Sequence, residues 1–195
     1  MDNKITLNVL IENIPNKSVY KSTATNKLKL ELHDIIVNNN HECVLEFGTN
    51  TGCSTIILAQ ACRTVGDSVL YTVDNSSDML YKAEALHEKY NLRDWVEFIQ
   101  MDLYNNEDAG WTVLETLPVS FVFIDAVHNY ENVLSDVNNI KRMYGDIDIC
   151  LHDYGLVDSG VKRVAQEFGI KKFMGENTDW NPFGGAVDDW EAVLI

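Results

Sequence analysis

A rhythm constrains this chain more than any single residue does: short apolar runs alternate with longer segments whose apolar residues recur at helical spacing. Cys43–Phe47 and residues 69–73, 95–101, 119–124 and 147–151 are rich in β-formers and short enough to be strands. Between them, residues 56–62 read as the core of a helix. Met79, Leu80, Ala83, Leu86, His87 and Tyr90 form a second helical stripe. Tyr130, Val133, Leu134, Val137 and Ile140 form a third. Val161, Val164, Ala165 and Phe168 form a fourth, with Asp158 or Ser159 as its N-cap. A leading helix carries Leu28, Leu32, Ile35 and Ile36 and ends at Asn38, Asn39 and Asn40.

Strands buried on both faces and separated by helices call for a parallel sheet with right-handed crossovers. The tail breaks this rhythm. Lys172–Met174 and residues 190–195 read as two further strands, and residues 175–189 between them lack a helical stripe. Without a crossover helix that pair must be antiparallel. The expected fold is α/β and doubly wound: a mainly parallel seven-stranded sheet with an antiparallel C-terminal hairpin. No repeat or linker divides the sequence, so residues 1–195 read as one domain, with a helical lead-in over 1–40 and the core over 41–195.

The chemistry concentrates where strands end. Glu46 closes the first strand, and Gly48, Thr49, Asn50, Gly52 and Ser54 form the turn into the following helix. In open α/β sheets ligands sit beyond the carboxyl ends of the strands. Glycines there let the backbone approach a ligand, and a new helix offers free N–H groups. The spacing is G-x-x-x-G, whereas a nicotinamide site wants G-x-G-x-x-G, which disfavours a nicotinamide oxidoreductase. Glu46 would repel a pyrophosphate and suits a ligand bearing an ammonium. Asp74, followed by Asn75, ends the second strand, where a carboxylate can accept both ribose hydroxyls. Asp102, followed by Leu103, takes the same relative place after the third, in reach of an adenine amino group.

The fourth and fifth strands end in Asp125 and in the His152-Asp153 pair. These three side chains make a candidate divalent-metal site of two hard oxygens and one imidazole. The alternative is plain hydrogen bonding around a ligand. His128, three residues after Asp125, suits a general base, with helix capping as its structural alternative. His33, His41 and His87 read as surface or core-edge residues without partners. Asn181-Pro182-Phe183 resembles an amino-methylation motif but follows the wrong strand, so it reads as loop.

Composition sets the partners. Lys and Arg number 15 against 30 Asp and Glu, a net charge of −15. Such a surface repels phosphate backbones and anionic lipid, which excludes nucleic acid and membranes as expected partners and leaves a small-molecule substrate or a metal ion. Self-association stays open. The N-terminus lacks a secretory pattern, and no run approaches the roughly 20 apolar residues of a membrane span. Cys43, Cys53, Cys62 and Cys150 are scattered and mostly apolar in setting, so they read as buried thiols. The expected location is cytoplasmic.

Together these residues resemble the class I S-adenosylmethionine-dependent methyltransferases, from about Glu31 to the C-terminus. Residues 46–55 look like the turn of the catechol and caffeoyl-CoA O-methyltransferases. Residues 125–136 with His152-Asp153 look closer to macrolide-sugar O-methyltransferases and cephalosporin-hydroxylase-type proteins. The resemblance implies a Rossmann-like methyltransferase fold. Glu46, Gly48, Thr49, Gly52 and Ser54 would then hold the methionine part, Asp74 the ribose and Asp102 the adenine. Asp125 would be the first metal ligand, for Mg or Mn, and also a catalytic residue. His128 matches the position where catechol-type enzymes place a lysine base. His152 departs from the usual carboxylate at its place, which points to a transition ion, to ligation by Asp125 and Asp153 alone, or to no metal. The implied reaction is methyl transfer from S-adenosylmethionine to a hydroxyl of a sugar or phenol, with or without metal assistance. The rival reading is a non-catalytic S-adenosylmethionine-binding module.

Overall fold

The computed structural model describes residues 7–14, 24–105, 107–156, 159–176 and 190–195. Seven strands form one sheet: β1 (Cys43–Phe47), β2 (Val69–Asp74), β3 (Val96–Gln100), β4 (Phe121–Ile124), β5 (Asp148–His152), β6 (Lys172–Met174) and β7 (Ala192–Leu194). Their spatial order is β3-β2-β1-β4-β5-β7-β6. β1 to β5 pair in parallel, while β7 inserts between β5 and β6 and runs antiparallel to both. The expected fold class is therefore present: a doubly wound α/β sheet ending in an antiparallel hairpin.

Successive residues of the inner strands bury on opposite faces, which explains why these runs are apolar throughout. On β4, Phe121 and Phe123 join the layer under α2 (Asn26–Asn38) and α3 (Thr55–Val65). Val122 and Ile124 join the opposite layer, under α6 (Tyr130–Tyr144) and α7 (Gly160–Phe168). The helices begin where their caps dictate. The side chains of Thr25, Ser76, Asn129 and Ser159 accept from backbone N–H groups at the starts of α2, α4 (Ser77–Lys89), α6 and α7. No helix among the described residues is long and apolar enough to cross a membrane.

Several details differ from the sequence expectation. β3 starts at Val96, because Arg93–Trp95 close a single 3-10 turn ahead of it. β4 starts only at Phe121, and β5 extends to take in His152. Two short helices carried too few apolar positions for a stripe: α1 (Leu7–Asn13) and α5 (Gly110–Leu114), the latter burying Trp111 and Leu114. Asp158, Asn181-Pro182-Phe183 and most of 175–189 lie outside the described residues. All four cysteines are buried and free, and burial pushes Cys43 up to about 11 and Cys62 up to about 12.

The three other histidines are not partnerless surface residues. His87 is wholly buried, its Nδ1 2.7 Å from the Ala83 carbonyl one turn back. His33 is buried within reach of Asp34 and Thr64, and His41 lies 3.2 Å from the Ser120 hydroxyl.

Candidate active site

Strand order reverses between β1 and β4, and a cleft of about 350 Å³ opens there over the carboxyl ends of β1 to β4. Gly48 and Asn50 come from the first turn, Asp74 and Asn75 from the second, Asp102 and Leu103 from the third, and Asp125 from the fourth. Val73, Met79, Met101 and Val127 are among the apolar residues that line it, and Ser76 and Tyr104 add polar ones. Tyr104, Met79 and Met101 carried no signal in sequence, since a loop tyrosine and two core methionines look alike whether or not a ligand adjoins them.

Asp74 is oriented before any ligand arrives. Its two oxygens accept the Asn50 N–H at 2.8 Å and the Ser76 N–H at 2.9 Å. A carboxylate offers about four acceptor positions, so room remains for a vicinal diol. Asp102 accepts the Tyr104 N–H at 3.0 Å and is exposed on the same rim. Tyr104 in turn donates its hydroxyl to Asp136 on α6 at 3.4 Å and accepts the Val127 N–H at 3.3 Å. Burial pushes the Asp136 carboxyl up to about 7, against the pull of the Tyr104 hydrogen bond.

Glu46, Thr49, Gly52 and Ser54 do not line the cleft; they stand behind its wall. Glu46 is fully buried, and its oxygens accept the Ser54 and Thr72 hydroxyls, both at 2.7 Å. Burial pushes it up to about 7, opposed by the neighbouring hydroxyls of Thr55, Thr72 and Ser54. The missing glycine side chains serve chain packing here. A Cβ on Gly48, whose φ is +98°, would sit 2.2 Å from the Asp125 carbonyl oxygen. One on Gly52 would sit 2.9 Å from Ala83 on α4. Gly48 thus lets β1 close on the β4 loop and positions Asp125.

Beyond Asp125 lies a chain of charged groups. His152 Nδ1 is 2.8 Å from Asp125 Oδ1 and 3.3 Å from Asp153 Oδ1. His128 Nε2 is 2.8 Å from the other Asp153 oxygen. Asp153 adopts a left-handed backbone, φ 59°, as the chain leaves β5. His128 is not the helix cap, a role held by Asn129; its carbonyl instead accepts the Gly160 N–H at 2.7 Å, tying the β4 loop to the start of α7. Burial would lower His152, but Asp125 and Asp153 outweigh it and raise it well above the usual imidazole range. Burial would likewise lower His128, but Asp153 and Asp125 raise it. Burial raises Asp125 against the pull of His152, whereas His152 and His128 hold Asp153 well below the carboxylate range despite burial.

Donor atoms of Asp125, His152 and Asp153 all lie within 4.8 Å of one another, compact enough for one ion. Two carboxylate oxygens and an imidazole nitrogen suit manganese, iron or zinc better than magnesium. The sequence missed Glu191, whose Oε1 lies 3.0 Å from the other His152 nitrogen. It comes from the far end of the chain and carries no local motif.

Comparison with known proteins agrees with this architecture. The family described as a methyltransferase domain matches residues 45–162, more than half of the chain. No curated protein matches the chain by sequence. A Bacillus cereus O-methyltransferase in complex with S-adenosylhomocysteine superposes with a TM-score of 0.64 at 19% identity, covering 86% of this chain and 80% of that one. The cofactor-bound Rv0187 protein of MTB gives 0.68 at 18% identity, over 95% and 85%. A candidate caffeoyl-CoA O-methyltransferase of Staphylococcus aureus gives 0.63 at 17%, over 98% and 92%. At such identities the likeness speaks for the fold, while the family match spans the first, second, third and fourth strand-end turns and His152-Asp153. The chain belongs to the methyltransferase-domain family.

Proposed function

We propose that this chain transfers a methyl group from S-adenosylmethionine to a hydroxyl of a small molecule, a sugar or a phenol. The observation that carries the reading is one cleft that joins Asp74, pre-oriented with spare acceptor positions, to Asp125 and the imidazoles behind it. Bound in that cleft, the cofactor supplies an electrophilic methyl on sulfur. Relatives of this fold described above were solved with cofactor or with S-adenosylhomocysteine, which supports the same ligand here.

Asp74 would accept the ribose hydroxyls, Asp102 would face the adenine amino group, and Leu103 with Asn75 would flank the base. Gly48, Thr49 and Asn50 would shape the turn at the methionine end, with Gly52 packing it onto α4. Glu46, buried behind that turn with Ser54, would add negative charge toward an ammonium. The chain's main contribution to rate is then to hold acceptor oxygen, methyl carbon and sulfur nearly in line. Asp125 and Asp153 would hold a divalent ion, with His152 as nitrogen ligand; such an ion would lower the pKa of a bound hydroxyl and orient it. His128, held at Asp153 and half-exposed beside the cleft, would take the hydroxyl proton.

The test is turnover. Purified chain, S-adenosylmethionine and a panel of sugars and phenols should release S-adenosylhomocysteine with at least one acceptor, and chelation should slow it until manganese is restored. Binding without turnover on any hydroxyl acceptor would support the non-catalytic reading instead. Full activity in excess chelator would remove the metal from the account.

A further inference from the structure

Glu191 is wholly buried and fixed at every polar atom. The antiparallel register sets Ala192 opposite His152, so the preceding residue arrives beside the imidazole. Its backbone N–H donates to the Met174 carbonyl and its carbonyl accepts the Tyr154 N–H. One side-chain oxygen accepts the Thr25 N–H at 2.8 Å, and the other accepts the Thr25 hydroxyl at 2.5 Å. Thr25 is also the N-cap of α2. One turn along that helix Lys29 is buried, with no hydrogen-bond partner for its ammonium among the described residues, and burial lowers it below the usual lysine range against the opposing pull of Cys53 and Glu191. A carboxylate so heavily anchored, 3.0 Å from His152 Nε2, is placed to accept a hydrogen bond from that ring nitrogen, while Nδ1 faces Asp125 and Asp153.

We propose that Glu191 is a positioning residue that holds a proton on His152 Nε2, so that Nδ1, aimed between Asp125 and Asp153, is the nitrogen that exchanges its proton for a cation, making this a site for a nitrogen-tolerant divalent cation. The inference rests on the metal reading above and adds which ring nitrogen ligates, what orients it and which class of ion follows. An ion entering the cluster replaces the Nδ1 proton, which leaves to solvent, while Glu191 retains the proton on Nε2. Carboxylates that buttress a ligating histidine in this way are worth about 10–100-fold in metal affinity. The anchor at Thr25 makes the lead-in helix part of the site, although it contributes no ligand.

Manganese alone is the probe, added to the full chain and followed by its electron spin resonance. Wild type should bind Mn²⁺ more tightly than Mg²⁺, and its spin echo should carry nitrogen modulation from one imidazole. Glu191→Ala should weaken Mn²⁺ about 10–100-fold. Glu191→Gln, which keeps volume and one acceptor but not the charge, should fall between, and S-adenosylhomocysteine affinity reports whether each variant keeps its fold. Bound manganese without nitrogen modulation, or wild-type manganese affinity in both variants, overturns the proposal while leaving an oxygen-only metal site standing. No manganese binding by wild type overturns it together with the metal reading.

Discussion

The two halves of the cleft lie at the same end of one sheet, yet they handle negative charge in opposite ways. On the β2–β3 side, Asp74 and Asp102 are held by backbone amides, leaving spare acceptor positions toward the opening. On the β4–β5 side, Asp125 and Asp153 are met by imidazoles, and Glu191 closes the chain of charges from behind. Topology accounts for acids at both places. The difference comes from what packs beyond: β3 is an edge strand, whereas β5 is covered by β7, which delivers Glu191 and shuts water out. The open half is suited to neutral donors such as hydroxyls and an amino group. The closed half is suited to protons and cations.

The comparison breaks most visibly at His128. His128→Ala should lower kcat by about 10²–10⁴-fold while S-adenosylmethionine affinity stays near wild type. Steady-state kinetics beside a binding titration checks both, and equal losses in each would mean that the halves do not act separately.

The next effect belongs to Asp136, which stands where the halves meet, under the Tyr104 hydroxyl that also receives the Val127 N–H. Its carboxyl is raised from 3.8 to about 7 and that of Glu46 from 4.5 to about 7. The unfolded chain therefore releases these protons first. The contribution of these two groups is full below about pH 4, falls as pH rises and levels off above about pH 8. Asp136→Asn removes one of the two contributions, so it should gain about 2–4 kcal/mol on wild type at the alkaline end and little at the acid end. Urea midpoints measured across that range read the difference, and parallel curves would show that Asp136 ionises freely in the folded chain.

The smallest effects sharpen the open half. Asp74→Ala removes a charged acceptor worth about 1.5–3 kcal/mol per hydrogen bond, so cofactor binding should weaken at least about tenfold with kcat at saturation nearly kept. Asp102→Ala, exposed and facing a single amino group, should cost less than Asp74→Ala. Reversal of that order in calorimetry would exchange the roles given to the two rims.

These halves were unequally legible in the sequence. Asp74, Asp102, Asp125 and the His152-Asp153 pair announce themselves because each follows an apolar run that must be a strand, and parallel strands point their ends one way. Glu46 also follows such a run, but its last residues alternate faces, and which face a strand-end acid takes depends on a register that no local pattern states. Glu191 and Thr25 meet across 166 residues. Their pairing follows from β7 inserting beside β5, an outcome of sheet order rather than of any motif. The glycines were legible as necessary, but their packing partners were not: a Cβ on Gly48 or Gly52 would meet Asp125 or Ala83, contacts made across elements that no local pattern states.

The central claim is that the cleft over β1 to β4 is an S-adenosylmethionine site, and calorimetric titration of the full chain tests it most directly. The account predicts one cofactor bound per chain, competed by S-adenosylhomocysteine and weakened by Asp74→Ala. Absence of binding to the folded wild-type chain at millimolar S-adenosylmethionine would contradict it.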